Sequence, residues 1–454
     1  MYTQELVPHI LLANQPAALV IPPAIGGGLA LLCVWAAVHA SRMRRFIDDM
    51  PTSKAAGVFI GDVELKGTAE TTQPFTSFLW EGRCVHYRWT VGEHWSRTVT
   101  ETYTDSKGNR RTRTRRESGV TTVAAGGESA PFYLKDDSGH ILIRPDGAKI
   151  EPSTVFSRTV GRGDPLYYGK GPQGSVSDSD HRRTFTEEAI PLHSAIFVMG
   201  LARERNDTVA AEIAASGDAV HFLISVRDEK AISGGYAWGT WLWAIFGLIL
   251  FIVGVVIAER NGRFLQETTI AIYVGAVAAF AAMYVLAWSL TVFNSMLRLR
   301  QRARRAWSNI DVELKRRHDL IPRLAECVKG FAMHERDTQQ LVALLRSQYA
   351  ITPEEARGSG GKVVGLAPTL MLLREGYPSL NASESFLALQ RELVITESRI
   401  AMARTYYNGV AKAFNTRLSV VPDAWLASVA RLQPFAFFEA TGLERESVRV
   451  DFAQ

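Results

Sequence analysis

The sequence predicts an α+β membrane protein with three transmembrane helices, a mainly-β domain and an antiparallel four-helix bundle. Three observations predict it. Three long intervals carry no charge. Between the first two lie short alternating runs broken by turns, the pattern of strands. After the third, apolar residues recur in steps of four and three, the pattern of packed helices. The chain of 454 residues thus divides into an N-terminal anchor (1–41), a β domain (42–235), a transmembrane hairpin (236–293) and a helical bundle with a C-terminal tail (294–454).

The spans come first. After Glu5 there is no Lys, Arg, Asp or Glu until Arg42, none between Lys230 and Glu259, and none between Glu267 and Arg298. Each interval can supply the roughly 20 apolar residues that cross a bilayer as a helix. The expected spans lie near 18–40, 236–258 and 269–293, the first containing Pro22, Pro23 and Gly26 to Gly28. Val38-His39-Ala40 resembles a cleavage site, but no Lys or Arg precedes this span, so it reads as a signal anchor. Arg42, Arg44 and Arg45 follow the first span, and Arg298, Arg300, Arg302, Arg304 and Arg305 follow the third. Basic flanks favour the inside, which puts the N-terminus and the 259–267 loop outside. Because spans two and three form a hairpin, 42–235 and 294–454 share one side, expected to be cytoplasmic. These eight arginines are expected to meet lipid headgroups, each contributing about 1 kcal/mol near an anionic leaflet. Ala271, Gly275 and Ala279 are spaced for close helix packing, within the chain or between copies.

The formal net charge is +5, and much of the excess sits beside span ends. No interleaving of basic and aromatic residues suggests base stacking, so nucleic acid is not an expected partner. Cys33, Cys84 and Cys327 form neither a CxxC nor a disulfide framework.

In the β domain, strands are expected in 57–67, 84–91, 96–119 (two, around a Ser-Lys-Gly-Asn turn), 131–150, 193–204 and 220–226, as a small, partly closed barrel. Gly169-Lys-Gly171-Pro-Gln-Gly174 has the letters of a phosphate-binding loop. The polar run after it is no helix start, so it reads as a flexible loop. Arg110, Arg111, Arg113, Arg115 and Arg116 mark an exposed basic hairpin arm, either a solvated face or a lipid-headgroup contact. His86, His94, His140, His181 and His193 are scattered without metal spacing, and no GxSxG is present.

In the helical segment, Ile310, Leu314, Arg317, Ile321, Leu324, Val328 and Phe331 form one seam of coiled-coil type. Phe386, Leu389, Leu393, Thr396, Ile400, Ala403, Tyr407, Val410 and Phe414 form another. Between them lie 341–349, a Gly-rich break at 356–362, and 367–378. The first bundle helix is expected to continue from the third span, with a kink or restart at Pro322 capped by Asp319. A buried charge needs a partner, so Arg317 is expected to contact Glu392 or Glu397, the carboxylates flanking Thr396, and thereby to set helix register. His318 and His334 would lie about 24 Å apart along one helix, too far to share a metal. His334-Glu335 does not begin HExxH, since residue 338 is Thr. No cofactor, metal or catalytic residue is expected.

Two resemblances sharpen this reading. IGDVELKGTAE (60–70), CVHYRWTVGEHW (84–95), FYLKDDSGHILIRPDGA (132–148) and IFVMGLARE (196–204) resemble the GIDE domain of membrane-tethered mitochondrial E3 ligases and their bacterial relatives. In those ligases a RING finger does the ubiquitin chemistry. Three separated cysteines cannot supply its paired zinc ligands, so the resemblance implies an adaptor or sensing role. AWSNIDVELKRRHDLIPRLAECVKGFAMHE (306–335), YPSLNASESFLALQRELVITESRIAMARTYYNGVAKAFN (377–415) and FEATGLERESVRVDF (438–452) closely resemble the LemA family. Arg323 departs from the Asn usual there, and three spans replace the family's single N-terminal one. LemA proteins are membrane-anchored helical bundles, one relative of which helps shape magnetosome membranes. The combined expectation is a non-enzymatic, self-associating scaffold in a bacterial inner membrane that organises or shapes the bilayer. The alternative is a signalling or stress-response adaptor whose β domain recruits or senses a protein; a hydrolase or metal enzyme ranks third.

Overall fold

The computed structural model describes residues 16–104, 110–205, 210–215, 222–262, 269–331 and 384–438. The chain forms two compact units, Thr52–Asp228, and Met1–Pro51 together with Glu229–Gln454. In chain order, α1 is Pro16–Asp48. β1 to β9 follow at Thr52–Ser53, Gly61–Glu70, Phe75–Thr76, Arg83–Thr104, Arg110–Ser129, Phe132–Lys135, His140–Ile143, Lys149–Glu151 and Ser153–Gly161. Next come α2 (Pro165–Gly169), β10 (Ser179–Pro191), β11 (Ala195–Glu204), β12 (Ala211–Ala214) and β13 (Leu223–Ser225). The chain then runs through α3 (Glu229–Gly262), α4 (Thr269–Phe331), α5 (Glu384–Ser419) and α6 (Asp423–Val429).

In the β unit, β2 pairs with β6 and also with β11, and the path β6–β7–β12–β11 returns to it, closing a small barrel. β1 extends one edge, and β13 with β8 another. Val63, Leu65, Phe132, Leu134, Ile143, Val198, Ile213 and Ile224 fill it, every second residue of its strands. A second sheet runs β3–β4–β10–β9, with β5 on β4. Leu79, Val91, Val160, Tyr167 and Phe185 form its own core. β9 and β10 are absent from the expected strands. The inward face of β10 reads Arg183, Phe185, Glu187, Ala189, and all four are buried. Charge at two of four core positions hid the apolar alternation. Beyond Trp95, β4 loses β10 as a neighbour and pairs only with β5, in register to Thr104–Arg110.

In the helical unit, α1, α3 and α4 each contain a stretch long and apolar enough to cross a membrane. α1 runs on through Pro22, Pro23 and the three glycines. α4 continues without a break from the apolar stretch into the bundle, about 95 Å at 1.5 Å per residue. It also continues through Pro322, so no helix restarts there and Asp319 is an interior residue. Proline removes one backbone donor, but the buried Leu320, Ile321 and Leu324 hold both sides of that turn against the bundle. α5 packs along α4 on the expected seams: Ile310, Leu314, Arg317, Ile321 and Leu324 are buried, as are Phe386, Leu393, Thr396, Ile400, Ala403, Tyr407, Val410 and Phe414. The expected helical segments at 341–349 and 367–378, the Gly-rich break and His334 lie outside the described residues.

Candidate functional site

Four polar arrangements and one exposed arm stand out. In the β unit, Arg183 and Glu93 are fully buried and paired at 3.0 Å. Arg183 Nη1 also donates to the carbonyls of Tyr167 (2.9 Å) and Pro172 (2.7 Å), and Nη2 donates to that of Gly174. The guanidinium lies over the Tyr167 ring, 4.0 Å from its centroid. The loop with the phosphate-binding letters is therefore held, and it turns carbonyl oxygens toward a cation. A phosphate site would present amide N–H groups instead. Burial alone would raise the Glu93 pKa, but hydrogen bonds from Ser179, Arg183 and Tyr167 together hold it below the usual range. Four residues along β10 from Arg183, Glu187 accepts the N–H groups of Phe78, Leu79 and Trp80 at 2.8, 2.9 and 2.6 Å. It builds the turn before β4.

His86 and Cys84 are the chemically reactive types nearest this core. Burial, with a smaller push from Arg88, lowers the His86 pKa to about 4. Neither of its ring nitrogens has a hydrogen-bond partner among the described residues. Burial, followed by Glu187 and Glu128, pushes the Cys84 thiol up to about 11. Such a thiol is a poor nucleophile at neutral pH.

The arm is the β4–β5 ribbon. Cross-strand pairs Val99–Arg115, Glu101–Arg113 and Tyr103–Arg111 share one face, and Thr98–Arg116, Thr100–Thr114, Thr102–Thr112 and Thr104–Arg110 share the other. All of these residues except Val99 are exposed; Val99 is half-buried. The expected basic arm is thus a projecting two-stranded ribbon, with an Arg-rich and a Thr-rich face.

In the helical unit, α1 and α3 cross closely. A Cβ on Gly26 would come within 3.0 Å of the Gly254 backbone, and one on Gly247 within 2.8 Å of the Cys33 Cβ. Small residues therefore do make a span crossing, as such packing requires, but they are these and not Ala271, Gly275 and Ala279. That trio is exposed, and a Cβ on Gly275 would meet nothing within 4 Å.

Where α1 leaves the apolar region, a polar node joins four helices. Asp49 accepts from Arg417 Nε (3.0 Å) and Nη2 (2.9 Å) and from Ser295 (2.9 Å), and its carbonyl accepts from Arg302 (3.2 Å). Asp423 accepts from Arg45 (2.7 Å) and Arg417 (3.1 Å). Burial would lower the Arg417 pKa, but Asp49 and Asp423 more than offset it, so the guanidinium titrates above its ordinary value. Arg45 and Arg302, expected at headgroups, are committed here instead, Arg302 also stacking on Phe46. Arg42, Arg44, Arg298, Arg304 and Arg305 are exposed, and Arg300 is half-buried.

Further along the pair, Arg317 Nε lies 3.0 Å from Glu397 Oε1, with both side chains largely buried. Glu392 instead faces Arg316 at 3.4 Å, and Thr396 donates to the Glu392 carbonyl. His318 lies 3.9 Å from Asp319. No group of three or more His, Cys, Asp or Glu could hold a metal among the described residues.

The last arrangement was not anticipated. The extended segment after α6 lies along α5. Asn408 donates to the Phe438 carbonyl (2.9 Å) and accepts from its N–H (2.8 Å). Asn415 does the same with Phe435, at 2.8 and 2.9 Å. Tyr407 donates to the Ala436 carbonyl at 2.7 Å. The available signal was the pair itself: two poor helix formers one heptad apart, each beside a seam aromatic, Tyr407 and Phe414.

Comparison with known proteins follows this division. Residues 306–452 match the family model of the LemA family, and residues 100–258 match that of GIDE, described as an E3 ubiquitin ligase. The chain joins a GIDE segment to a LemA segment. Protein LemA of Metamycoplasma hominis is 25% identical over 161 residues, 34% of this chain and 72% of that protein. No solved structure matches the chain. The GIDE match begins within β4, includes Arg183 and the arm from Thr100 onward, and runs on into α3. The LemA match holds Arg317, Glu397, Asn408, Asn415 and Phe438. The polar node draws Arg417 and Asp423 from the LemA segment and its other members from outside both matches.

Proposed function

We propose that this protein is a non-enzymatic scaffold, anchored in a bacterial inner membrane, that self-associates and organises or shapes the bilayer through its LemA bundle. In this reading the N-terminus lies outside and both GIDE and LemA segments are cytoplasmic. The observation that carries it is the unbroken α4, which takes a membrane-crossing stretch directly into the bundle. A rod without a hinge passes force and orientation between bilayer and bundle. The exposed Arg42, Arg44, Arg298, Arg304 and Arg305 are suited to anionic headgroups. The exposed Ala271, Gly275 and Ala279 offer a face on which a second copy can pack. Three separated cysteines, Cys33 and Cys84 buried and Cys327 half-buried, do not suit the paired zinc ligands of a RING finger. Reconstitution of the full-length protein into liposomes tests the proposal. Deformed vesicles and a multimeric mass are expected; round vesicles holding monomers would overturn it, as would ubiquitin ligation by the purified chain.

The projecting arginine ribbon favours a second reading, an adaptor whose GIDE segment recruits an acidic protein. Its signature would be one stoichiometric partner on purification, lost when Arg111, Arg113 and Arg115 are changed to Gln.

A further inference from the structure

We infer that the outer edge of β5, along the projecting ribbon, is a docking site for a strand of another protein, an extended segment whose acids follow the alternation of the ribbon's arginines. The inference rests on the adaptor reading above and names the form of the partner.

The ribbon lacks a third strand. From His86 to Trp95, β4 lies between β10 and β5. From Ser96–Ser118 to Thr104–Arg110 it has β5 alone, and β5 pairs with β4 alone among the described strands. A two-stranded ribbon is marginal in water by itself, and the unpaired N–H and C=O groups of its edges are a template for a further strand.

Charge chooses between the two edges. The ribbon holds six arginines against two glutamates, and Arg110, Arg111, Arg113, Arg115 and Arg116 all belong to β5. β4 carries Glu101 and Arg97, and Arg97 is paired with Glu117 at 2.8 Å. Two acids also stand at the base of β4's outer edge. The Asp178 carbonyl takes the Ser96 N–H at 3.0 Å, and the Asp180 carboxylate takes the Ser96 hydroxyl at 2.6 Å. An acidic segment is therefore repelled from the edge of β4 and drawn to that of β5.

The register sets the pattern. Arg111, Arg113 and Arg115 line one face, and Arg110 and Arg116 lie on the other with Thr112 and Thr114 between them. All seven residues are exposed. A flat ligand such as a bilayer meets one face at a time. A strand added to the edge runs beside both faces, with each side chain directly across from one of β5. Its complement is acid-acid-x-acid-x-acid-acid, with a β-branched or hydroxyl residue at x against the threonines. Residues 110–116 read the same in both directions, so the pattern suits a parallel or an antiparallel partner. The β5 edge of a second copy would set arginine opposite arginine in either direction, which is destabilising. No seven consecutive residues of this chain carry five acids, so the segment belongs to another protein. Main-chain bonds then give affinity, and the alternate side chains give specificity.

The test uses the full-length protein in neutral-lipid nanodiscs and the labelled peptide Glu-Glu-Thr-Glu-Thr-Glu-Glu. Two controls carry the same side-chain charge: an isomer with both threonines moved to one end, and the same sequence N-methylated at every backbone amide. The inference predicts that each control binds at least about tenfold more weakly, having lost the alternation or the ladder bonds. With the alternating peptide bound, amides between Arg110 and Arg116 should exchange more slowly. Arg111→Gln, Arg113→Gln and Arg115→Gln together should weaken binding about tenfold, the effect of three exposed ion pairs, while the β unit melts unchanged. Equal binding of all three peptides, or binding without added protection of β5, would overturn the inference and leave the adaptor reading in place. Failure of all three to bind removes the inference, and a missing co-purified partner removes the adaptor reading as well. Slower exchange of β5 in phosphatidylglycerol nanodiscs, or with duplex DNA, would then assign the arginines to phosphate instead.

Discussion

At the residue scale, the β unit relies on buried charges whose partners are structural. Removing Arg183 strands Glu93 in the core and frees the 167–174 loop. Arg183→Ala should destabilise the unit by about 3–5 kcal/mol, the usual cost of breaking a buried pair, read by chemical denaturation of the full-length protein. Arg183→Lys should recover little, since an ammonium cannot reach three carbonyls and a carboxylate from one plane. The pH dependence separates two groups. His86 is held neutral, with a folded pKa near 4 against about 6.5 in the unfolded chain. Above about pH 6.5 it has no effect. As pH falls toward 4 the unfolded state gains a proton that the folded state does not, and up to about 3 kcal/mol is lost. His86→Phe should flatten that limb. Glu93 acts lower: its depressed pKa adds stability above the unfolded value of about 4.3, lost as pH falls through the folded one. A melting profile that keeps its slope between pH 6.5 and 4 in His86→Phe would refute the assignment.

At the element scale, the α4–α5 pair is an apolar seam into which α4 turns two charges, Glu313 and Arg317. Glu397→Ala leaves Arg317 buried, and should lower stability by about 3 kcal/mol. The double change Arg317→Met with Glu397→Leu should melt near the wild type, because apolar groups of similar size remove both desolvation costs. If the single and double variants melt alike, the pair does not hold the helices together. Both seams were legible because a 3.6-residue period survives one polar substitution. β10 was not legible, because the carboxylate that pairs with its inward arginine and the amides that its inward glutamate accepts lie 90 residues and more away in the chain. Pro322 misled for a related reason: the local cost of the ring is set against burial on both sides, which the local sequence does not display.

At the scale of the whole helical unit, two joints decide how spans and bundle act together. The Asp49–Arg417–Asp423–Arg45 node fastens the end of α1 to α4, α5 and α6. Asp49→Ala should loosen that joint, seen as faster hydrogen exchange at the end of α1 and in α6, while the β unit melts unchanged. Gly275→Ile is informative because its side chain would enter open space within one copy. A monomer tolerates it. If the 271–279 face joins copies, the substitution lowers the multimeric mass; an unchanged mass would show that copies join elsewhere.

The sequence by itself determined the α+β class, the three apolar helices, the bundle seams and the two family segments. The first three follow from local periodicity or contiguous composition, and the family segments from resemblance to known families. Tertiary structure decided which small residues cross, which arginines turn inward, which loop Arg183 clamps, and that Asn408 and Asn415 hold the tail. The reason is physical: a charge or amide in the chain shows its desolvation cost locally, but the group that offsets it is chosen by folding, from residues far away in sequence.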